Sequence, residues 1–490
     1  MEPRRRDRLA GRAGQAASQV VAAARARIAV DVRALAVLRA ALGVLLLADL
    51  GMRGRDLVAF TTDEGILPRE ELARMEPWLH RASLHALGGS AAFEALLFAV
   101  AALAALALLS GWRTRAANAV SLVLLASLLL RNPLVLNAGD SLLLMLLFWG
   151  LFLPLGARWS LDARGRGCRG TVATAAAAGL LAQVLLMYAV NAVFKLRSEA
   201  WRSGEALAFI FGSERHAALL GPALAHAPGL VALLGWAWLA MLAGCAVLVA
   251  TTGRARTVAV AAYMGVHVAM LLTLRLGLFP LVSLASLLPF LPPPVWDRIE
   301  ARIGPWARRL AGRLPPPSAV APPLPARPRR LGSAFPAVAL AGLIVWSGAS
   351  LGATSLPDAL EPLAERHARG WALFARPHEM QIWHVVPATT ASGAEVDALT
   401  GGPVVWDGAK DVSPYPDIRW RTYLQKIGAD DVPVEAFAAY LCHRWDTTHE
   451  DPLLNLTIHR LERPIDPRGP DPPARSAAVL GHRCGHSGSR

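Results

Sequence analysis

The sequence predicts a polytopic α-helical membrane bundle of about nine spans with a small α+β extracytoplasmic C-terminal domain. Three observations carry that prediction. Hydrophobic residues make up 54% of the 490 positions and the mean hydropathy is +0.38, too apolar for a string of soluble domains. Arginine is concentrated before the first long apolar run and in short segments between the later ones, while Lys195, Lys410 and Lys426 are the only lysines. In the last 135 or so residues, strand-like stretches (EMQIWHVVPATT, LLNLTIHRL) alternate with amphipathic, helix-like ones (DIRWRTYLQKI, VEAFAAYLCHRW).

Residues 1–27 read as an uncleaved, cytoplasmic basic tail, since no cleavage signal closely follows the first apolar run. The first span, about 28–50, contains Arg33, Arg39 and Asp49, groups that are costly in lipid, so it is expected to face the bundle interior. A polar segment, 51–90, reads as short interfacial helices. Further spans are expected at about 91–109, 117–130, 141–155, 171–194, 229–250, 257–273, 277–291 and 335–351. The stretch 196–228 suits a partly buried loop better than a span. The basic tail, GWRTRA, ARWSLDARGRGCRG, TTGRAR and the Pro/Arg-rich linker then all fall on one side, which the positive-inside rule makes cytoplasmic. The resulting domain plan is tail 1–27, transmembrane domain 28–300, cytoplasmic linker 301–334, last span 335–352, α+β domain 353–464 and an unstructured tail 465–490.

A net charge of +14 invites a nucleic-acid reading, but the arginines are placed as topology signals and lack the interleaved aromatics that stack bases. Membrane lipids are the expected partners, with no nucleic acid. Four cysteines without CxxC or zinc-like Cys/His spacing give no metal site. Cys442 and Cys484, if their domain lies outside the cytoplasm, are expected to pair as a disulfide.

The stretch most suited to chemistry is QVLLMYAVNAVFKLRSEAWRSG, residues 183–204. Gln183, Tyr188, Asn191 and Lys195 recur at helical spacing and share one polar stripe. Among so many arginines a lysine here points to an amine that has to lose its proton; the competing reading is a snorkelling anchor at a helix end. The predicted topology brings Asp140, Lys195 and Arg275 to the outer ends of their spans, with His267 deeper in its own. Each has a structural alternative: a helix cap for Asp140, a hydrogen-bonded core histidine for His267, and a headgroup anchor for Arg275.

YAVNAVFKLRSEAWRSGEAL resembles the lysine-bearing segment of the vitamin K-dependent gamma-carboxylase family and its wider bacterial relatives, the horizontally transferred transmembrane (HTTM) domain proteins. RNPLVLNAGDSLLLMLLFWGLFLPLGARWSLDA, HVAMLLTLRLGLFPLVSLASLLPFLPPPVW and LAVLRAALGVLLLADL are similar to further segments of that family and extend the resemblance over about residues 30–300. The resemblance implies a cytoplasmic N-terminus, an exported C-terminus, a quinol cofactor (menaquinol or vitamin K-like) and a polypeptide substrate. It also implies carbon–carbon bond-forming lyase chemistry in which Lys195 is the base that deprotonates the quinol. Asp140 stands where the carboxylases carry a histidine, a departure that bears on carboxylation itself. Asp140 and His267 join Lys195 as catalytic candidates, and Tyr188, Asn191, Trp201, Gly204, Arg275 and Arg39 are the candidate pocket residues. An Arg- and Ala-rich composition points to a bacterial plasma membrane. The rival reading is a non-catalytic membrane scaffold that assists maturation, export or immunity of another polypeptide.

Overall fold

A computed structural model describes residues 15, 18–164, 168–213, 216–311, 330–353, 355–357, 371–407, 417–429, 432–466 and 472–485. Most of the basic tail and residues 312–329 of the linker lie outside these. The helices are α1 (Val32–Arg55), α2 (Leu57–Thr61), α3 (Arg69–Met75), α4 (Pro77–Ala82), α5 (Ala91–Ser110), α6 (Thr114–Arg131), α7 (Ala138–Gly150), α8 (Ala175–Arg197), α9 (Glu199–Ser203) and α10 (Ala206–Gly212). They continue as α11 (Gly221–Ala225), α12 (Pro228–Ala243), α13 (Val247–Ala250), α14 (Gly253–Thr273), α15 (Phe279–Leu287), α16 (Pro293–Ala311), α17 (Arg330–Ser350), α18 (Ile418–Lys426) and α19 (Val434–Thr448). Five of them, α1, α5, α6, α8 and α14, are long and apolar enough to cross a membrane, and the bent pair α15–α16 makes a sixth if it counts as one span. The chain is therefore an integral membrane protein with a helical bundle. The other apolar runs also form helices, but α7, α12 and residues 334–350 of α17 are too short to meet the same criterion.

The polar residues of α1 point inward as expected: Arg33, Arg39 and Asp49 are all buried. α1 starts on Asp31, whose side chain accepts from the Arg33 backbone N–H, and the two-residue strands β1 (Val30–Asp31) and β2 (Thr171–Val172) hold the starts of α1 and α8 together. We call this the tail end of the bundle, and the opposite end, where the C-terminal domain sits, the domain end. Gly43 in α1 lets α5 approach closely, because a Cβ there would lie 2.7 Å from Cβ of Leu109. α7 begins with a capping box in which Asn137 and Asp140 satisfy each other's backbone N–H groups.

The C-terminal domain is built on one long strand, β6 (Leu453–Pro464). Along one side of it lie β3 (Met380–Val385) and β4 (Pro387–Thr390), antiparallel and end to end, with Val385 opposite His459 and Ala388 opposite Leu456. β5 (Glu395–Asp397) pairs with β4, and β7 (Arg475–Arg483) covers the other side of β6. β7 corrects the expectation of an unstructured tail beyond residue 464: Pro- and Arg-rich flanks hide a strand whose partner, β6, is supplied only by the fold. Cys442 of α19 and Cys484, just past β7, form a disulfide with Cα atoms 5.7 Å apart. The linker boundary also moves, because α16 runs to Ala311 and α17 starts at Arg330.

The domain shares a core with the bundle rather than hanging from it. Trp420 and Tyr423 of α18, Phe437 and Leu441 of α19 and Leu456 and Ile458 of β6 pack in one cluster with Phe60, Ile66, Leu72 and Leu79 of the 51–90 segment and with Leu134 and Val135. That segment, read from sequence as interfacial, is the seat on which the domain is mounted.

Candidate functional site

Between the domain end of the bundle and α18 lies a cavity of about 1120 Å³. This is ample for a drug-sized or lipidic ligand, since pockets for such molecules run from about 300 to 1,000 Å³. α8 supplies its central wall. The helical period that set Tyr188, Asn191 and Lys195 on one stripe turns all three toward the cavity, while Gln183, a turn further down, accepts from Nε1 of Trp149 at 2.7 Å.

Lys195 is 2% exposed. Its Nζ donates to the carbonyls of Leu373 (2.7 Å) and Phe374 (3.0 Å) and lies 3.7 Å from the ring centroid of Trp201. The Trp201 Nε1–H donates to the same Phe374 carbonyl at 2.6 Å, and the Asn191 amide donates to the carbonyls of Trp371 (2.8 Å) and Leu373 (3.1 Å). Residues 371–374 thus form a strap whose main chain is held by three side chains of the bundle. Among the described residues no carboxylate bonds to Lys195, so the buried amine is solvated by neutral dipoles and an indole face.

An aromatic group lines the cavity around Tyr188. The Tyr188 hydroxyl and Nε2 of His267 are hydrogen-bonded at 2.9 Å, with Trp238 and Tyr263 against Tyr188 and Phe279 edge-on to His267. Nδ1 of His267 is buried and has no partner among the described residues.

The HTTM-domain family model matches residues 28–296, more than half of the chain and all of this bundle wall. The chain belongs to the HTTM-domain family. The vitamin K-dependent gamma-carboxylases are related to that family, as the sequence resemblance indicates. No curated protein and no solved structure gives a significant match.

Within this HTTM domain the other expected site residues lie elsewhere. Asp140 does not line the cavity. Its carboxylate accepts from the Asn137 backbone N–H (3.0 Å), from Nη2 of Arg53 (2.8 Å) and from Nη2 of Arg419 (3.0 Å). Asp49 completes the cluster by pairing with Arg53 at 2.8 Å and with Arg419. Two guanidinium groups thus meet two carboxylates in the interior, which is why Asp140 turns away from Lys195. Arg419 belongs to α18. Burial alone would lower its pKa, but the charges of Asp140 and Asp49 outweigh it and hold the guanidinium protonated, above its ordinary value.

Arg275 is also outside the cavity lining; its backbone N–H donates to the His216 carbonyl at 2.8 Å. Gly204 serves the turn after α9: its φ is +85°, and a Cβ would meet the ring of Trp236 at 2.9 Å. Arg39 lies near the other end of the HTTM domain, where its guanidinium donates to the carbonyls of Leu108 (2.7 Å), Leu109 (2.5 Å) and Trp159 (2.6 Å) and closes the end of α5. The structure therefore brings together Tyr188, Asn191, Lys195, Trp201 and His267, and leaves Asp140, Gly204, Arg275 and Arg39 outside the cavity lining.

Several cavity residues carried no usable sequence signal. His216 and His378, from two separate loops, stack with ring centroids 5.4 Å apart and planes 3° from parallel. Trp78, Trp238, Thr422 and Lys426 also line the cavity. No local pattern marks them as a group, because they arrive on separate loops and on three helices, α4, α12 and α18, and only the fold makes these neighbours.

Proposed function

We propose that this HTTM-domain protein holds a quinol, or another lipidic molecule with a flat polar head, in the cavity beside α8, and that Lys195 exchanges a proton with it. The observation that carries this reading is the placement of a buried amine, without a carboxylate partner among the described residues, on the wall of a cavity also lined by Tyr188, Trp238 and His267. For the proton step, Lys195 would enter as the neutral amine, its proton having passed to water, and would accept a proton from a hydroxyl of the bound group and hold it as the ammonium. This step does not commit the protein to carboxylation, because Asp140, at the position where the carboxylases carry histidine, is tied to Arg53 and Arg419. In this reading the protein sits in a bacterial plasma membrane, with α7, α12, α15 and α17 completing a nine-span bundle. The basic tail is cytoplasmic and the disulfide-bonded domain outside.

A second reading rests on the same lysine. Two carbonyls and an indole face already satisfy the Lys195 ammonium, and this is also what an anchor for residues 371–374 looks like. The protein would then be a scaffold that assists another polypeptide.

Lys195→Arg separates the two, since arginine keeps the charge but remains protonated at any accessible pH. Expected for the proton-transfer reading is normal expression and membrane insertion with loss of the cellular activity, together with a quinone found by mass spectrometry in organic extracts of the purified wild type. A fully active Lys195→Arg protein would leave the scaffold reading in front.

A further inference from the structure

The buried charges around Asp49 border a second, small cavity of about 20 Å³ inside the bundle. It is lined by Asp49 of α1, by His85 in the single 3-10 turn Leu84–Ala86, by Ser121 of α6 and otherwise by apolar side chains of α1, α5 and α6. Asp49 and His85 are 2% exposed and Ser121 3%. Nδ1 of His85 lies 2.6 Å from Oε2 of Glu94, which is fully buried on α5, and Nε2 has no hydrogen bond among the described residues.

The Ser121 hydroxyl has no partner among them either. Thr61 and Thr273, also buried on helices, turn their hydroxyls back to the carbonyls of Leu57 (2.7 Å) and Ala269 (2.8 Å), four residues earlier. Ser121 forgoes that bond and lines the cavity instead. A buried hydroxyl without a partner carries its full desolvation cost, so such groups in folded proteins have one.

Size and lining select that partner. A cavity of about 20 Å³ exceeds the roughly 10–15 Å³ that one water needs and is too small for a larger molecule, and its three polar groups match the two to four partners a buried water takes. Water both donates and accepts, so it suits a carboxylate that only accepts, a hydroxyl, and either tautomer of His85. A cation is disfavoured, because Asp49 already pairs with Arg53 and Arg419, whose charges repel it.

We propose that this cavity binds one water molecule, which joins Asp49, His85 and Ser121. The buried charge network then does not end at Asp49: hydrogen bonds run on through the water to His85 and Glu94. The water thereby ties the 51–90 segment, on which the C-terminal domain is mounted, to α1 and α6 from the inside. The site is separate from the cavity beside α8 and does not depend on the function assigned there.

Ser121→Ala in the purified full-length protein tests this, because the sign of its effect differs between a wet and a dry site. With the water bound, the variant loses a hydrogen bond, and its thermal midpoint is expected to fall by roughly 1–3 °C. In a dry site the same change removes an unpaired hydroxyl, so a raised or unchanged midpoint would overturn the proposal. A density map of the wild type that resolves other buried waters is expected to show one peak within about 3.2 Å of both Ser121 Oγ and His85 Nε2, and a map without it would count against the site equally. Exchanging sodium for choline in the buffer should leave the difference between wild type and variant unchanged. A difference seen only with sodium would make the occupant a cation and end the water assignment.

Discussion

Two regions of this molecule bury positive charge at the same end of the bundle, and they do it in opposite ways. In the seam between bundle and domain, Arg53 and Arg419 meet Asp49 and Asp140, so charge is cancelled by charge. On the cavity wall, Lys195 meets only carbonyls and an indole ring among the described residues. A cancelled cluster is fixed, because removing any member strands a partner in a medium that cannot solvate it. An amine held by neutral dipoles beside a cavity has no counter-ion to lose when its proton leaves. The contrast separates a structural joint from a candidate reactive group, although both are buried ionisable residues and both read as functional from sequence.

The largest expected effect tests the joint. Asp140→Ala should cost about 3–5 kcal/mol, because Arg53 and Arg419 remain buried and share Asp49, with Arg419 keeping besides it only the longer pair to Asp417 at 3.7 Å. Chemical denaturation of the purified protein measures this, and limited proteolysis should release the 371–485 region before the bundle unfolds. A loss under 1 kcal/mol, at the level of a surface pair, would erase the distinction between the two regions.

A buried imidazole in the C-terminal domain sharpens the comparison. His384 of β3 has no hydrogen-bond partner among the described residues, and burial, reinforced by the Arg460 charge, pushes its pKa down to about 3. The unfolded chain titrates near 6.5, so the folded state binds fewer protons between these values. The associated stability is complete above pH 6.5 and is lost as pH falls toward 3, with about 2 kcal/mol gone by pH 5. Denaturation midpoints at pH 7 and pH 5 for wild type and His384→Phe provide the check, the variant being expected to lose less. Equal losses would mean that an uncancelled buried base in this protein does not report on its surroundings as argued.

The smallest effect concerns the strap. Lys195→Met leaves the Leu373 carbonyl with Asn191 and the Phe374 carbonyl with Trp201, so the cost should be only about 1–2 kcal/mol and local. Hydrogen exchange is expected to quicken at residues 371–375 and to stay unchanged in β6. Exchange that accelerates throughout the domain would make Lys195 part of the joint and end the contrast.

Much of the cavity wall was legible because it is local. A stripe at helical spacing is a property of one helix, so Tyr188, Asn191 and Lys195 could be placed on one face before any fold was known, and Trp201 comes within two short turns of chain. The inward face of α1 was legible for the same reason, since lipid tolerates Arg33, Arg39 and Asp49 only on the inside. What those residues meet was not legible. Asp140 sits 55 residues before Lys195 and was assigned to it by topology alone, whereas its actual partner Arg419 lies 279 residues away on a helix of another domain.

By itself the sequence determined where the chain is apolar, which faces of the helices are polar, which family it belongs to and that one lysine stands apart from the arginines around it. Hydrophobic periodicity and composition are written residue by residue and need no partner to be read. The tertiary structure alone decided that Asp140 is a joint, that residues 371–374 lie over Lys195, that His216 and His378 reach the same cavity and that residues 475–483 form a strand. Each of these depends on contacts between segments far apart in the chain. Such contacts are selected by the packing of the whole domain, and the local signals of an aspartate, a strap or a tail strand are the same whichever partner the fold supplies.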